Sequence, residues 1–286
     1  MSLEDKNILI TGATSGIGKH SAFFLAEKKA NIILIGRNIK KLKQITDRIN
    51  SLNPNNKGKF FYADLSLQSD IAKVFNDINS NYKTIDILIN NAGAIFSKRQ
   101  MTSEGIEKTF ALNHMGYFSL TKLILGIIDK NKDSRIINVA SAAHKSGKID
   151  FNDLFIKKKY GVGWRSYAQS KLCNVLFTYQ LSRLLSSTKV TVNCLHPGLV
   201  NTNFGNNNSF LFSSSFKLVK FLYGINEKKG SETINYLASD NQKVFQTGGY
   251  FVKNKKTISS KISQSIDFQQ KLWDISEEIF YKLCKP

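Results

Sequence analysis

Short apolar runs recur along the chain with room for one helix between each pair, and this alternation limits the fold more than any other feature. The runs are "NILIT" (7–11), "NIILIG" (31–36), "KFFYA" (59–63), "IDILIN" (85–90), "RIINVA" (135–140), "VTVNCL" (190–195) and "GYFV" (249–252). Between them lie helical stretches such as "KHSAFFLAEKK", "IKKLKQITDRIN", "SDIAKVFNDINS", "GYFSLTKLILGIIDK" and "KLCNVLFTYQLSRLL". Strands apolar along nearly their whole length are covered on both faces, and strands that alternate with helices pair in parallel. No repeat and no linker interrupts the pattern. "NPNNK" (53–57) and "GNNNS" (205–209) read as polar turns or loops, so residues 1–286 are expected to form a single domain.

In a doubly wound sheet the ligand lies beyond the carboxyl ends of the strands. Directly after the first run comes "TGATSGIGK" (11–19), with Gly12, Gly16 and Gly18, and with Ser15 and Ile17 among them. Glycines there permit a tight turn and close approach of backbone to phosphate, while the helix start offers N–H groups to an anion. Placed between a strand and a helix, the turn predicts dinucleotide binding. The fold expected is therefore α/β, Rossmann-type and doubly wound, with a mostly parallel seven-stranded sheet and helices on both faces. After the second run an acid would bind a free ribose 2′-hydroxyl, but "LIGRN" (34–38) has Arg37. Arg37 can pair with a 2′-phosphate, which favours NADP(H) over NAD(H); its other reading is a solvated residue at a helix start.

The formal charge of +20 raises nucleic acid as a partner. The lysines are scattered over "KKLKQ", "FIKKKY", "NEKKG" and "VKNKK" with no recognition motif, so no nucleic acid is expected. Cys173, Cys194 and Cys284 lack the spacing of a disulfide framework or a zinc site. His20, His114, His144 and His196 lack metal-ligand spacing and read as loop or packing residues. No run of about twenty apolar residues and no signal peptide is legible, so the expected location is cytoplasmic.

In "SYAQSKLCNV" (166–175) Tyr167 precedes Lys171 by about one helical turn, which puts both on one face. The pair joins a set: the glycine turn, "DL" at 64–65, "NNAG" at 90–93, "LN" at 112–113, Ser141 after the fifth run and "HPG" at 196–198. In this order, across residues 7–202, the chain resembles the short-chain dehydrogenase/reductase family. Within it, "KLCNVLFTYQLSRLL", "VTVNCLHPGLVNT" and "KLWDIS" are most similar to the retinol dehydrogenase branch, which acts on retinoids and other lipophilic carbonyls. Residues 142–166 form an insertion like that of the branch, whereas no membrane anchor precedes the first run, unlike several of its members.

The resemblance implies that Asp64 and Leu65 border the adenine, that Asn91, Ala92 and Gly93 line the cofactor floor, and that Pro197, Gly198 and Thr202 contact the cofactor farther along. For "NNAG" a structural turn is an equally compatible role. Asn113, Ser141, Tyr167 and Lys171 would form the catalytic set. Tyr167 would donate a proton to the carbonyl oxygen that Ser141 orients, and Lys171 would hold the nicotinamide ribose and tune Tyr167. An ammonium about 4 Å away contributes about 4 kcal/mol at an effective dielectric near 20. That is enough to bring a tyrosine from near 10 to about 7. Asn113 would position a water that relays protons; its other reading is a helix-kink residue that satisfies backbone.

The function expected is NADP(H)-dependent interconversion of lipophilic aldehydes or ketones and alcohols. A non-catalytic NADP(H)-binding interaction protein on the same scaffold is the rival. Residues 203–225 are expected to be a substrate-site lid, with peripheral membrane contact through 209–224 and a homo-oligomer as open alternatives.

Overall fold

The computed structural model describes residues 2–158, 160–200, 226–240 and 247–284. The strands are β1 Asn7–Thr11, β2 Asn31–Gly36, β3 Phe60–Tyr62, β4 Ile87–Asn90, β5 Arg135–Val139, β6 Thr191–His196, β7 Gly249–Val252 and β8 Lys255–Thr257. They form one sheet in the order β3-β2-β1-β4-β5-β6-β7-β8. All pairs are parallel except β7 with β8. The helices are α1 Gly16–Glu27, α2 Ile39–Leu52, α3 Gln68–Asn81, α4 Lys108–Phe110, α5 Gly116–Ile124, α6 Trp164–Leu184, α7 Glu227–Ser239 and α8 Ile266–Leu283. Between α4 and α5 the chain passes through a π-helical turn, Ala111–Met115.

Successive side chains of a strand point to opposite faces, and both faces are dry here. Leu9, Ile33 and Leu88 pack with Ile71 of α3, Phe118 of α5, Leu172 of α6 and Trp273 of α8. Ile8, Ile10, Leu34 and Ile89 pack on the other face with Leu25 of α1, Leu42 of α2 and Ile234 of α7. This two-sided burial is why the strands read as continuous apolar runs rather than alternating ones.

The sheet has eight strands among the described residues, not the expected seven. The additional β8, "KKT", is exposed throughout and follows β7 through Lys253 and Asn254, both at positive φ (49° and 63°). Two successive residues at positive φ make the tight hairpin turn whose twist suits antiparallel strands. A lysine-bearing edge strand has no apolar signature, so it merges with the surrounding basic stretch. Among the described residues no helix is long and apolar enough to cross a membrane. Cys173, Cys194 and Cys284 are buried free thiols.

Candidate active site

β1 lies between β2 and β4, so the chain order reverses at its carboxyl end, where a crevice opens. Hydrogen bonds close the floor of that crevice. Thr11 Oγ1 accepts from the backbone N–H groups of Asn91 and Ala92 at 2.9 and 3.0 Å. Asn91 Nδ2 donates back to the carbonyls of Thr11 and Gly12 at 2.9 and 3.1 Å. The side chain of Asn91 thus pins β1 to β4, while the residue itself lines the crevice. Gly12 has φ +68°, and a Cβ on it would stand 2.7 Å from Ala92 Cα. A Cβ on Gly18 would collide with Asn91 Nδ2. The glycine turn is therefore required by close packing of α1 on the sheet as well as by access to a ligand. Ser15 starts α1 without a side-chain cap, so no side-chain oxygen there accepts from the first-turn N–H groups.

The crevice holds a cavity of about 930 Å³, near the top of the ~300–1,000 Å³ usual for ligand sites. Gly12, Ser15, Gly16, Ile17, Gly18, Arg37, Leu65, Asn91, Ala92, Gly93, Ser141, Tyr167, Lys171, Pro197 and Gly198 all line it. The sequence-based set is thus largely brought together. Asp64 and Asn113 are not among its lining residues: Asp64 is partly exposed beside Arg37, and Asn113 is fully buried. Asp64 accepts from Ser66 Oγ at 2.7 Å and pairs with Arg37 at 3.3 Å. Burial opposes its ionisation, but the Ser66 hydrogen bonds and the Arg37 guanidinium hold its carboxyl below the usual carboxylate range. Thr202 and the 203–225 and 209–224 segments lie outside the described residues.

Arg37 is half-exposed at one end of the cavity, and Lys41, from the first turn of α2, lines the same end. Asn38 caps that helix by accepting from Lys41 N–H at 2.9 Å. Lys41 escaped sequence reasoning because it stands in a lysine-rich helix; its place in the first turn after β2 was the available signal.

At the other end, Ser141 follows β5 and Tyr167 and Lys171 project from α6. Ser141 Oγ accepts from Ala143 N–H at 3.2 Å, and Tyr167 shares a hydrogen bond with Ser141. Lys171 is buried and donates from Nζ to the Val139 carbonyl at 2.8 Å. Its ammonium lies 5.6 and 5.8 Å from the ring centres of Tyr117 and Tyr167, within cation–π range. Asn113 belongs to the π turn. Its Oδ1 accepts from Ala94 N–H at 2.9 Å, and its Nδ2 donates to the Ala94 carbonyl at 2.9 Å and to Ser170 Oγ at 3.0 Å. The side chain thus satisfies backbone at a helix irregularity, as its second reading has it. A Cβ on Gly93 would lie 3.2 Å from Asn113 Oδ1 and 3.5 Å from Lys171 Nζ, so only glycine leaves that corner clear.

The Ser141 loop is held by His144. Its Nδ1 donates to the Ser141 carbonyl at 2.7 Å, and its Nε2 accepts from Ser260 N–H at 3.1 Å, which fixes the neutral tautomer. Burial lowers its pKa in keeping with that assignment.

The expectation that Lys171 lowers the tyrosine pKa is not met in this structure. Burial pushes Tyr167 up to about 12, against the opposing hydrogen bond with Ser141. Burial also brings Lys171 down to about 7. Only a full ammonium about 4 Å from the phenol would lower the tyrosine pKa to the expected extent. Here the low dielectric disfavours the charged form of both groups, and the lysine is turned to a backbone carbonyl.

Near the reactive-type side chains the wall carries apolar residues, Ala94, Ile95, Ala143, Leu199, Val200 and Trp164, together with His196. Trp164 is 45% exposed, and its ring centre is 6.0 Å from that of Tyr167. It follows Gly163, at φ +83°, where a Cβ would collide with the Phe96 carbonyl. Trp164 was hidden within the 142–166 insertion; its position three residues before the tyrosine was the only cue.

A short chain dehydrogenase family model matches residues 6–209. Human retinol dehydrogenase 14 is 34% identical over 96% of this chain and 86% of its own length. Human polyprenol dehydrogenase is 32% identical over 96% of this chain and 85% of its own. Among solved structures, an uncharacterized protein from Mycobacterium paratuberculosis aligns with a TM-score of 0.79 at 25% identity, covering 100% of this chain and 96% of that one. Agreement over nearly the full length of several relatives makes the chain a member of the short-chain dehydrogenase/reductase family, in its retinol dehydrogenase branch, and thus an oxidoreductase of alcohols and carbonyls.

Proposed function

We propose that the protein is an NADP(H)-dependent enzyme that interconverts lipophilic aldehydes or ketones and their alcohols, with Tyr167 as proton donor and acceptor. One observation carries the reading. A single cavity joins a side-chain-uncapped helix start and two cationic side chains at one end to Ser141, Tyr167 and Lys171 at the other.

The residues fit a dinucleotide. The first turn of α1 suits a pyrophosphate, Gly12 and Gly93 keep the floor free of side chains, and Arg37 and Lys41 suit a 2′-phosphate. When bound, the nicotinamide gives or takes the hydride. Ser141 and Tyr167 hydroxyls hold the substrate oxygen. Tyr167, protonated at neutral pH in this environment, donates to that oxygen during reduction and regains the proton during oxidation. Lys171, held by Val139, supplies the adjacent site through which that proton is exchanged. The apolar walls and Trp164 exclude water and suit a lipophilic chain.

The test is NADPH oxidation by the purified protein over a panel of short, long-chain and retinoid-like aldehydes. Tyr167→Phe should retain NADPH binding and lose about 10²–10⁴-fold in turnover, the usual acid–base contribution. NADPH binding without turnover of any aldehyde would favour the non-catalytic rival.

A further inference from the structure

Glu107 is 1% exposed, and among the described residues no lysine, arginine or histidine forms an ion pair with it. A buried carboxylate without a cation persists only where several donors replace the lost water. Four do so here. Oε1 accepts from Thr109 N–H at 2.9 Å and from the Tyr160 hydroxyl at 3.0 Å. Oε2 accepts from Phe110 N–H at 2.9 Å and from Ser166 Oγ at 2.8 Å. Two donors belong to the helix that runs into the π turn with Asn113, and two to the 142–166 insertion, of which Ser166 is the residue immediately before Tyr167.

A second tie repeats the pattern one turn along. Ser170 Oγ accepts from Asn113 Nδ2 and donates to the Tyr167 carbonyl at 2.8 Å. Helix α6 therefore carries two adjacent rows. Ser166 and Ser170 are bound to the α4–α5 segment, and Tyr167 and Lys171, one position further round, line the cavity. The serine row is one of the ties that bear on the rotation of α6, beside its buried apolar face, and it is the one next to Tyr167. Among the described residues Glu107 is the one carboxyl group in that grip, and hydrogen bonds to a carboxylate are the stronger kind.

We propose that Glu107 is a positioning residue for Tyr167, acting through Ser166. The proposal rests on the reading of Tyr167 as the proton donor.

Ser166→Ala removes the contact next to Tyr167 and leaves the helix cap intact. Tyr160→Phe removes a hydroxyl from the other oxygen of the same carboxylate, together with its contacts to the Phe96 carbonyl and Thr109 Oγ1, and leaves Ser166 bound. In the aldehyde-reduction assay Ser166→Ala should lower kcat on the order of tenfold with KM for NADPH unchanged; a 1 Å misplacement costs up to about 10²-fold. Tyr160→Phe should lose comparable thermal stability and keep kcat. Glu107→Gln should resemble Ser166→Ala, and the double variant should fall no further than the worse single one, as expected of residues acting as a unit. Tyr167→Phe is the reference: if it stays active, the proton-donor reading fails whatever Ser166 does. With Tyr167→Phe inactive, wild-type kcat in Ser166→Ala, or an equal kcat loss in Tyr160→Phe, overturns the positioning role.

Discussion

Asn113 Nδ2 lies 3.0 Å from Ser170 Oγ, a contact that joins the π turn to the helical turn containing Tyr167 and Lys171. The same side chain bonds both backbone groups of Ala94 on the cavity wall. Asn113→Ala leaves those buried groups without partners, and each such loss costs about 1–3 kcal/mol. The variant should unfold several degrees lower in a thermal melt and turn over more slowly. An unchanged melting temperature would mean that Ala94 is held by something else.

The pH dependence follows from the pair that lines the reactive end. Burial sets Lys171 near 7 and Tyr167 near 12, so the first proton leaves the pair near pH 7. Alcohol oxidation needs the deprotonated pair. Its kcat/KM should therefore rise about tenfold per pH unit below 7 and level off above it, whereas carbonyl reduction should decline above that point. Lys171→Ala should abolish the step near 7. A step that survives in this variant would belong to another group.

Cofactor preference is read at the Arg37 and Lys41 end. Calorimetric titration should give NADPH at least about tenfold tighter binding than NADH, equivalent to about 1.4 kcal/mol. Arg37→Asp should shift preference towards NADH, and Lys41→Ala should weaken NADPH selectively. Equal affinities in the wild-type protein would remove the 2′-phosphate role from both residues.

Trp164 provides the test of substrate class. Burying an aromatic side chain contributes about 1.5–3 kcal/mol. Trp164→Ala should therefore raise KM about tenfold or more for long-chain or retinoid-like aldehydes and spare small ones. A uniform effect on all aldehydes would assign the indole to shaping Tyr167 rather than to gripping a chain.

The sheet was legible because its strands are apolar on both sides, as Ile8, Leu9 and Ile10 illustrate by packing alternately into the two layers. The glycine turn and the Tyr167/Lys171 pair were legible because each stands at a strand end or on one helix face. Three things were not. β8 is polar and its turn uses Lys253 and Asn254 where a glycine would have marked it. The direction in which Tyr167 and Lys171 shift depends on burial, which local spacing does not encode. Glu107 and Thr11 bind partners distant in sequence, such as Ser166 and Asn91, so their importance emerges only when the chain is folded.

His144 links Ser141 to Ser260 through the two nitrogens of one ring. The segment that follows β8 and the serine beside Tyr167 are thereby mechanically coupled. A chimera that takes residues 255–284 from a relative must present a backbone N–H opposite His144, and a proline in place of Ser260 cannot. Exchange of that segment is thus constrained at a residue outside the cavity lining, where no conspicuous motif gives warning of it.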